Sequence, residues 1–243
     1  MAGTVIIYGG SGGIGSATAR ILHSRGKRLH LVGRNEVKLK AVADEFDAGF
    51  SVGDVNDSTL FSRVMEDMNS PCDGLIYAVG TINLGSIRRL GEEDFLTDFK
   101  VNALGAALAV KAALPLMKKS DLVPAVLLFS SVAAQQGFTM HTSVSMAKGA
   151  VNGLVLSLAA ELAPKVRING IAPSLIRTPL SENILKNEKM TDSIVSAHAM
   201  QRLGSAEDIA ETAAFLMSQE ASWITGQIIG VDGGRSMLRT GGC

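Results

Sequence analysis

Short apolar runs alternate with longer stretches of helical periodicity along this chain. TVIIYG (4–9), RLHLVG (28–33), DGLIYAVG (73–80), PAVLLFSS (124–131), VRINGIAP (166–173) and GQIIGVDGG (226–234) are apolar at nearly every position. That pattern suits strands covered on both faces, as in a parallel sheet. ATARILHSRG, VKLKAVADEF and the run from Lys148 to Leu162 space their apolar residues by three and four, and predict helices. The alternation predicts right-handed β-α-β units and an α/β fold, a doubly wound parallel sheet with helices on both faces. In such a sheet ligands bind beyond the carboxyl ends of the strands, so the loops after the strands are where chemistry is sought.

Composition changes this picture little. The 243 residues suit a single domain over 1–243, and no linker-like tract or fixed-period repeat divides them. With 23 basic and 23 acidic residues, no overall field draws the chain to nucleic acid or an anionic membrane. The expected partner is a small molecule or another protein. No run of about 18 apolar residues suggests a membrane span, and the N-terminus lacks the basic start of a signal peptide. The chain is therefore expected to be soluble and cytoplasmic, with Cys72 and Cys243 as two thiols rather than a disulfide framework. The four histidines and Cys72 do not fall at metal-ligand spacing, so no metal is expected.

The first strand runs into YGGSGGIGSATA and then into a helix. In that context Gly9, Gly13 and Gly15 permit a tight turn, close approach of the backbone to a pyrophosphate, and close helix packing. Free N–H groups at the start of the following helix suit phosphates.

The spacing Gly9-x-x-x-Gly13-Ile14-Gly15 resembles that of the short-chain dehydrogenase/reductase family, and the likeness extends over nearly the whole chain. GDVND is similar to the stretch whose aspartate, here Asp54, meets the adenine. YAVG keeps Ala78 and Gly80 of the family's Asn-Asn-Ala-Gly strand end, and VNALGA supplies the helix asparagine, Asn102. LLFSSVAAQQG supplies a serine pair, and IAPSLIRTPL and RLGSAEDIAETAAFLMSQEASWITGQIIGVDGG match the C-terminal pattern. The resemblance implies a Rossmann-type fold and a nicotinamide dinucleotide held by Gly9, Ser11, Gly13, Ile14, Gly15, Arg34, Asp54, Val55, Ala78, Gly80, Lys148, Pro173, Ile176 and Thr178.

In the family the catalytic serine stands thirteen residues before the tyrosine, and the tyrosine four before the lysine. Four residues before Lys148 stands Val144, and thirteen before that Ser131. The resemblance thus implies that Ser131 hydrogen-bonds the substrate oxygen, that Lys148 holds the nicotinamide ribose, and that Asn102 holds a water linking the lysine to solvent. The phenol is missing. Tyr8 and Tyr77 are expected at strand ends over the cofactor path. Positioned proton transfer of the kind lost is worth about 10²–10⁴ in rate. His141, in the loop expected before the helix, is a surrogate acid or an ordinary loop histidine; His23, His30 and His198 read as structural or surface residues.

Two further departures lie on the substrate side: Ser174 stands where the family usually has glycine, and residues 180–200 fill the place of its lid without a readable substrate preference. After the second strand, Gly33 replaces the aspartate of NAD-preferring relatives and Arg34 follows it, which suits the 2′-phosphate of NADP(H). Small and apolar residues on more than one face of the Lys148–Leu162 helix suggest a homodimer or homotetramer. These features together predict an NADP(H)-dependent oxidoreductase acting on a small carbonyl or alcohol with an atypical or weakened proton-transfer step. The alternative is a catalytically inactive dinucleotide-binding protein, a sensor or assembly subunit. Ser131, Lys148 and Asn102 favour the enzyme, and Val144 the alternative.

Overall fold

The computed structural model describes residues 3–239; Cys243 lies outside them. Seven parallel strands form one sheet in the order β3-β2-β1-β4-β5-β6-β7, with β1 (Thr4–Tyr8) and β4 (Cys72–Tyr77) adjacent across the change of direction. The others are β2 (Arg28–Gly33), β3 (Gly49–Val52), β5 (Ala125–Phe129), β6 (Arg167–Pro173) and β7 (Ile228–Val231). All six expected strands are present. The four-residue β3, GFSV, pairs with β2 and was not among them, because it is too short and too interrupted by Gly49 and Ser51 to show an apolar run.

Strands β1 and β5 are buried at every position, as parallel strands covered on both faces must be. One face of the sheet packs on α3 (Leu60–Met68), α5 (Gly105–Met117) and α6 (Thr142–Leu162), through residues such as Phe61, Val64, Ala106, Val110, Val151 and Val155. The other face packs on α1 (Gly13–Ser24), α2 (Glu36–Glu45) and α9 (Ala206–Leu216), through Ala19, Leu22, Leu39, Ile209 and Ala213. Tyr8 and Tyr77 belong to the first of these cores. Their rings lie 5.7 Å apart, both are essentially inaccessible, and Tyr77 Oη donates to Val101 O at 2.7 Å. They are core residues and not, as expected, groups over the cofactor path.

A second correction concerns α6. It begins at Thr142, so Val144 and Lys148 lie one helical turn apart on a single helix, and His141 occupies its N-cap position. The apolar periodicity is weak over HTSVSMAK because Ser143 is buried there by hydrogen bonding rather than by apolarity. By length and hydropathy alone, residues 92–117 and Thr142–Leu162 are long and apolar enough to cross a membrane; here both pack a face against the sheet or its neighbouring helices. Cys72 is buried in β4, and burial pushes its thiol up to about 12, which leaves it unreactive.

Candidate active site

At the carboxyl end of β1 the chain turns at Gly9, whose φ of 79° lies where a side chain is strained. A Cβ on Gly15 would collide with the Gly9 carbonyl, and one on Gly13 would sit 2.7 Å from Thr178 Cγ2. The turn and the helix start therefore close on one another through bare backbone, and the Thr178 side chain of the segment after β6 packs on the bare backbone of Gly13. Helix α1 has no side-chain cap at Gly12 and no acidic residue in its first turn. Its leading N–H groups thus remain available to an anion. This cradle, which any side chain would fill, fits a dinucleotide pyrophosphate.

At the edge beyond β2 the exposed Arg34 guanidinium lies 3.6 Å from a carboxylate oxygen of the partly buried Asp54. Asp54 also accepts from the backbone and side chain of Asn56, each at 2.9 Å. Ser11 Oγ would lie 3.2 Å from a Cβ on Gly33, so the first turn and the end of β2 are neighbours here too. Val55 packs partly buried against the core.

From the Gly-rich loop a cavity of about 530 Å³ runs toward the C-terminal segment. Ile14, Ala78, Gly80, Ser131, His141, Val144, Lys148, Pro173, Ile176 and Thr178 all line it, so these expected residues converge. Gly9, Ser11, Gly13, Gly15, Arg34, Asp54 and Val55 instead belong to the adjoining cradle and edge. Ser131 caps a short 3-10 turn, its Oγ accepting from Ala133 N at 3.1 Å. Its own proton is thereby left free to be donated into the cavity. The other serine of the pair, Ser130, is tied to α6 through Asn152 Oδ1 at 2.5 Å.

Lys148 is 8% exposed, and its Nζ donates to Phe129 O at 2.8 Å. Burial lowers its ammonium to about 8, against a smaller opposing effect of Asp98. A Cβ on Gly80 would stand 3.0 Å from Asn102 Oδ1 and 3.4 Å from Lys148 Nζ, so lysine and asparagine share the space beside that glycine. Asn102 sits in a π-helical turn, Lys100–Leu104, between α4 (Glu92–Phe99) and α5; it lies behind the cavity wall and not on it. Its Nδ2 donates to Thr81 Oγ1 and to Asp98 O, each at 2.8 Å.

A buried cluster missed in the sequence surrounds this asparagine. The Asp98 carboxylate accepts from Thr81 Oγ1 at 2.5 Å and from Ser143 Oγ at 2.6 Å. Asp98 stands one turn before Asn102, and Ser143 directly precedes Val144. The i,i+4 spacing of Asp98 and Asn102 was the available signal. Asp98 ties α4 to the start of α6 and brings negative charge toward Lys148.

Val144 is buried in the cavity wall. His141 lines the same cavity, but its Nδ1 lies 2.7 Å from Thr139 O. A carbonyl only accepts, so Nδ1 carries the proton and Nε2 of the neutral ring is left as an acceptor. His198, buried at 1% exposure, places Nδ1 2.6 Å from Ile194 O and Nε2 2.9 Å from Ser174 Oγ. The unusual Ser174 is thus tied back to a histidine that burial holds below its ordinary pKa, hence neutral near pH 7. Above the cavity, Leu180, Ile184 of α7 (Glu182–Leu185), and Met190 and Ile194 of α8 (Glu188–Ser196) form an apolar lid.

A family profile described as enoyl-(acyl carrier protein) reductase matches residues 9–236. A tropinone reductase homologue of Arabidopsis thaliana is 35% identical over 247 residues, covering 96% of this chain and 90% of the relative. The solved structure of a short-chain type dehydrogenase/reductase from Mycobacterium ulcerans superposes with a TM-score of 0.91 at 28% identity, over 97% of this chain and 90% of that one. That of YwfH, an NADPH-dependent reductase involved in bacilysin biosynthesis, does so with a TM-score of 0.89 at 27% identity, over 98% and 100%. The chain belongs to the short-chain dehydrogenase/reductase family, and is an oxidoreductase of that kind.

Proposed function

We propose that this protein is an NADP(H)-dependent reductase of a small carbonyl compound, or the dehydrogenase of the corresponding alcohol, in which the proton comes from Lys148 rather than from a phenol. The observation that carries this reading is the convergence of Ser131, Lys148 and Val144 on one cavity, with Asn102 behind the lysine and the glycine cradle at its end. Gly9, Gly13 and Gly15, with Ser11, Ile14 and Thr178, would hold the pyrophosphate side, Arg34 the 2′-phosphate, Asp54 and Val55 the adenine, and Ala78, Gly80, Pro173, Ile176 and Lys148 the nicotinamide side. When bound, the nicotinamide supplies or takes up the hydride.

The residues of the chain do the rest. Ser131 donates to the substrate oxygen through the proton that Ala133 N leaves free. Lys148, brought down to about 8, is an acid of useful strength near neutral pH. His141 is a weaker candidate for this task. Its Nδ1 proton is held by Thr139 O, which leaves Nε2 as the ring atom free to face the cavity. Single-turnover oxidation of bound NADPH by a panel of activated ketones and aldehydes tests the reading; NADPH bound and never oxidised would favour the inactive alternative.

The family's oligomers suggest a homodimer or homotetramer here as well. Met146, Gly149, Gly153 and Leu156 form one outward stripe of α6, with Met146 and Leu156 half or more exposed and open space beyond both glycines. Light scattering showing a monomer at micromolar concentration would refute that assembly.

A further inference from the structure

The cavity is walled mainly by apolar side chains, and among the described residues no aspartate or glutamate lines it. Two cations do, Lys148 and Arg235. Lys148 has Asp98 behind it and a place in the chemistry. Arg235 has neither. It follows β7 on the C-terminal segment, where its guanidinium carbon lies 5.0 Å from the centre of the Phe138 ring and its Nη1 donates to Ile194 O at 3.3 Å. Phe138 and Ile194 mark the lid end of the cavity, whereas Ile14 and Thr178 mark the cofactor end.

Among the described residues this guanidinium has no acidic partner in an ion pair. Its sequence neighbour Asp232 exerts some attraction, but the Asp232 carboxylate is committed to the turn, accepting from Gly234 N and Ser236 N at 2.9 Å each. Among the described residues no carboxylate lies within ion-pair distance of Arg235. A guanidinium carries five N–H donors in a fixed fork, and the bond to Ile194 O uses one of them. A half-buried cation with unused donors, set in an apolar wall, costs desolvation that a bound anion would recover.

We propose that Arg235 is a specificity-determining residue, and that the substrate is an apolar carbonyl compound carrying a carboxylate that this arginine receives while the reacting carbonyl lies at Ser131. The planar fork matches a carboxylate with two parallel hydrogen bonds, and Phe138 beneath it holds the guanidinium plane. The apolar walls between the two ends accept an aromatic or aliphatic body. This inference rests on the reductase reading for the placement of the carbonyl, but not for the recognition of the anion.

Calorimetry on the complex with NADP+, using 4-oxo-4-phenylbutanoate and its neutral primary amide, tests the two separately. The acid is expected to bind the parent protein about tenfold to a hundredfold more tightly than the amide. Arg235→Met should remove that advantage, Arg235→Lys should keep part of it, and the affinity for NADP+ should not change. Equal affinities of acid and amide for the parent, or failure of both to bind, would overturn the proposal without recourse to any variant. So would an acid preference that survives Arg235→Met. A parent that prefers the acid yet never oxidises NADPH would sink the reductase reading and leave the anion site standing.

Discussion

The two ends of the cavity are built by different means. At the cofactor end, contacts are made by backbone: the Gly9 turn, the closeness of Gly15 to the Gly9 carbonyl, and the free start of α1 leave no room for side chains. At the substrate end, contacts are made by side chains that compensate one another, as Ser174 is bound by His198 and Ser143 by Asp98. Backbone-built sites tolerate little change, because any Cβ collides. Side-chain-built sites can lose a group such as the phenol and keep their fold, because neighbours repack or rebond. On the reading proposed above, the difference would let one chain keep a backbone-built cradle while a valine stands at position 144 of the side-chain-built end.

The most severe test of this contrast is to return the phenol. Val144 lines open cavity, one helical turn before Lys148, so Val144→Tyr should place a hydroxyl beside the lysine without displacing core. A gain of up to about 10²–10⁴ in kcat on a generic carbonyl is expected, with NADPH affinity little changed. Steady-state assay beside a calorimetric titration checks both. A variant that folds, binds NADPH and gains nothing would mean that the substrate end has lost more than its acid.

A smaller effect separates lysine from solvent as the proton source. Lys148 is lowered by burial to about 8, so its ammonium is present below that pH and lost above it. Carbonyl reduction in single turnover should therefore hold level below about 8 and fall roughly tenfold per pH unit above it. Lys148→Arg keeps a charge that does not titrate in this range; it should lower the rate and flatten the profile. A parent profile that is flat to pH 10 would remove Lys148 as the acid.

The same contrast governs what the sequence made legible. The sheet, the glycine cradle and the register that sets Ser131, Val144 and Lys148 on one cavity were readable, because strand burial and fixed spacing leave a linear trace. Other features were not. Strand β3 is four residues long and lies at the sheet edge, so burial imposes little pattern on it. The start of α6 was hidden because its buried Ser143 is satisfied by Asp98, 45 residues away. The strand-end tyrosines were misplaced because alternation along β1 and β4 gives two faces, and the sequence does not say which face the cofactor takes. Arg235 and His198 owe their roles to lid and C-terminal segments meeting in space, which no local period records.

At the cofactor edge, Arg34 presently faces Asp54 across 3.6 Å, an exposed pair of the kind worth at most about 1 kcal/mol. A 2′-phosphate would compete for the guanidinium with more charge and better geometry. Arg34→Ala is expected to weaken NADPH binding about tenfold, leave NADH binding unchanged, and move thermal stability hardly at all. NADH binding the parent as tightly as NADPH would show that Gly33 and Arg34 do not select the phosphate.

The smallest effect is expected at His141, and it sharpens the division between the two ends most finely. The ring borders the cavity and stacks obliquely on Phe138 at 5.5 Å, yet its Nδ1 proton is spent on Thr139 O. An acid needs a proton to give, and the neutral ring offers only a lone pair. His141→Ala should therefore alter single-turnover NADPH oxidation by no more than about threefold, an effect of packing against Phe138 and not of proton transfer, well short of the 10²–10⁴ of a positioned acid. The same substitution made together with Val144→Tyr should leave the tyrosine's gain intact. If His141→Ala instead abolished turnover in the parent while the double variant recovered it, the histidine would be the acid that replaced the phenol, and the substrate end would have been rebuilt around the N-cap of α6 rather than around Lys148.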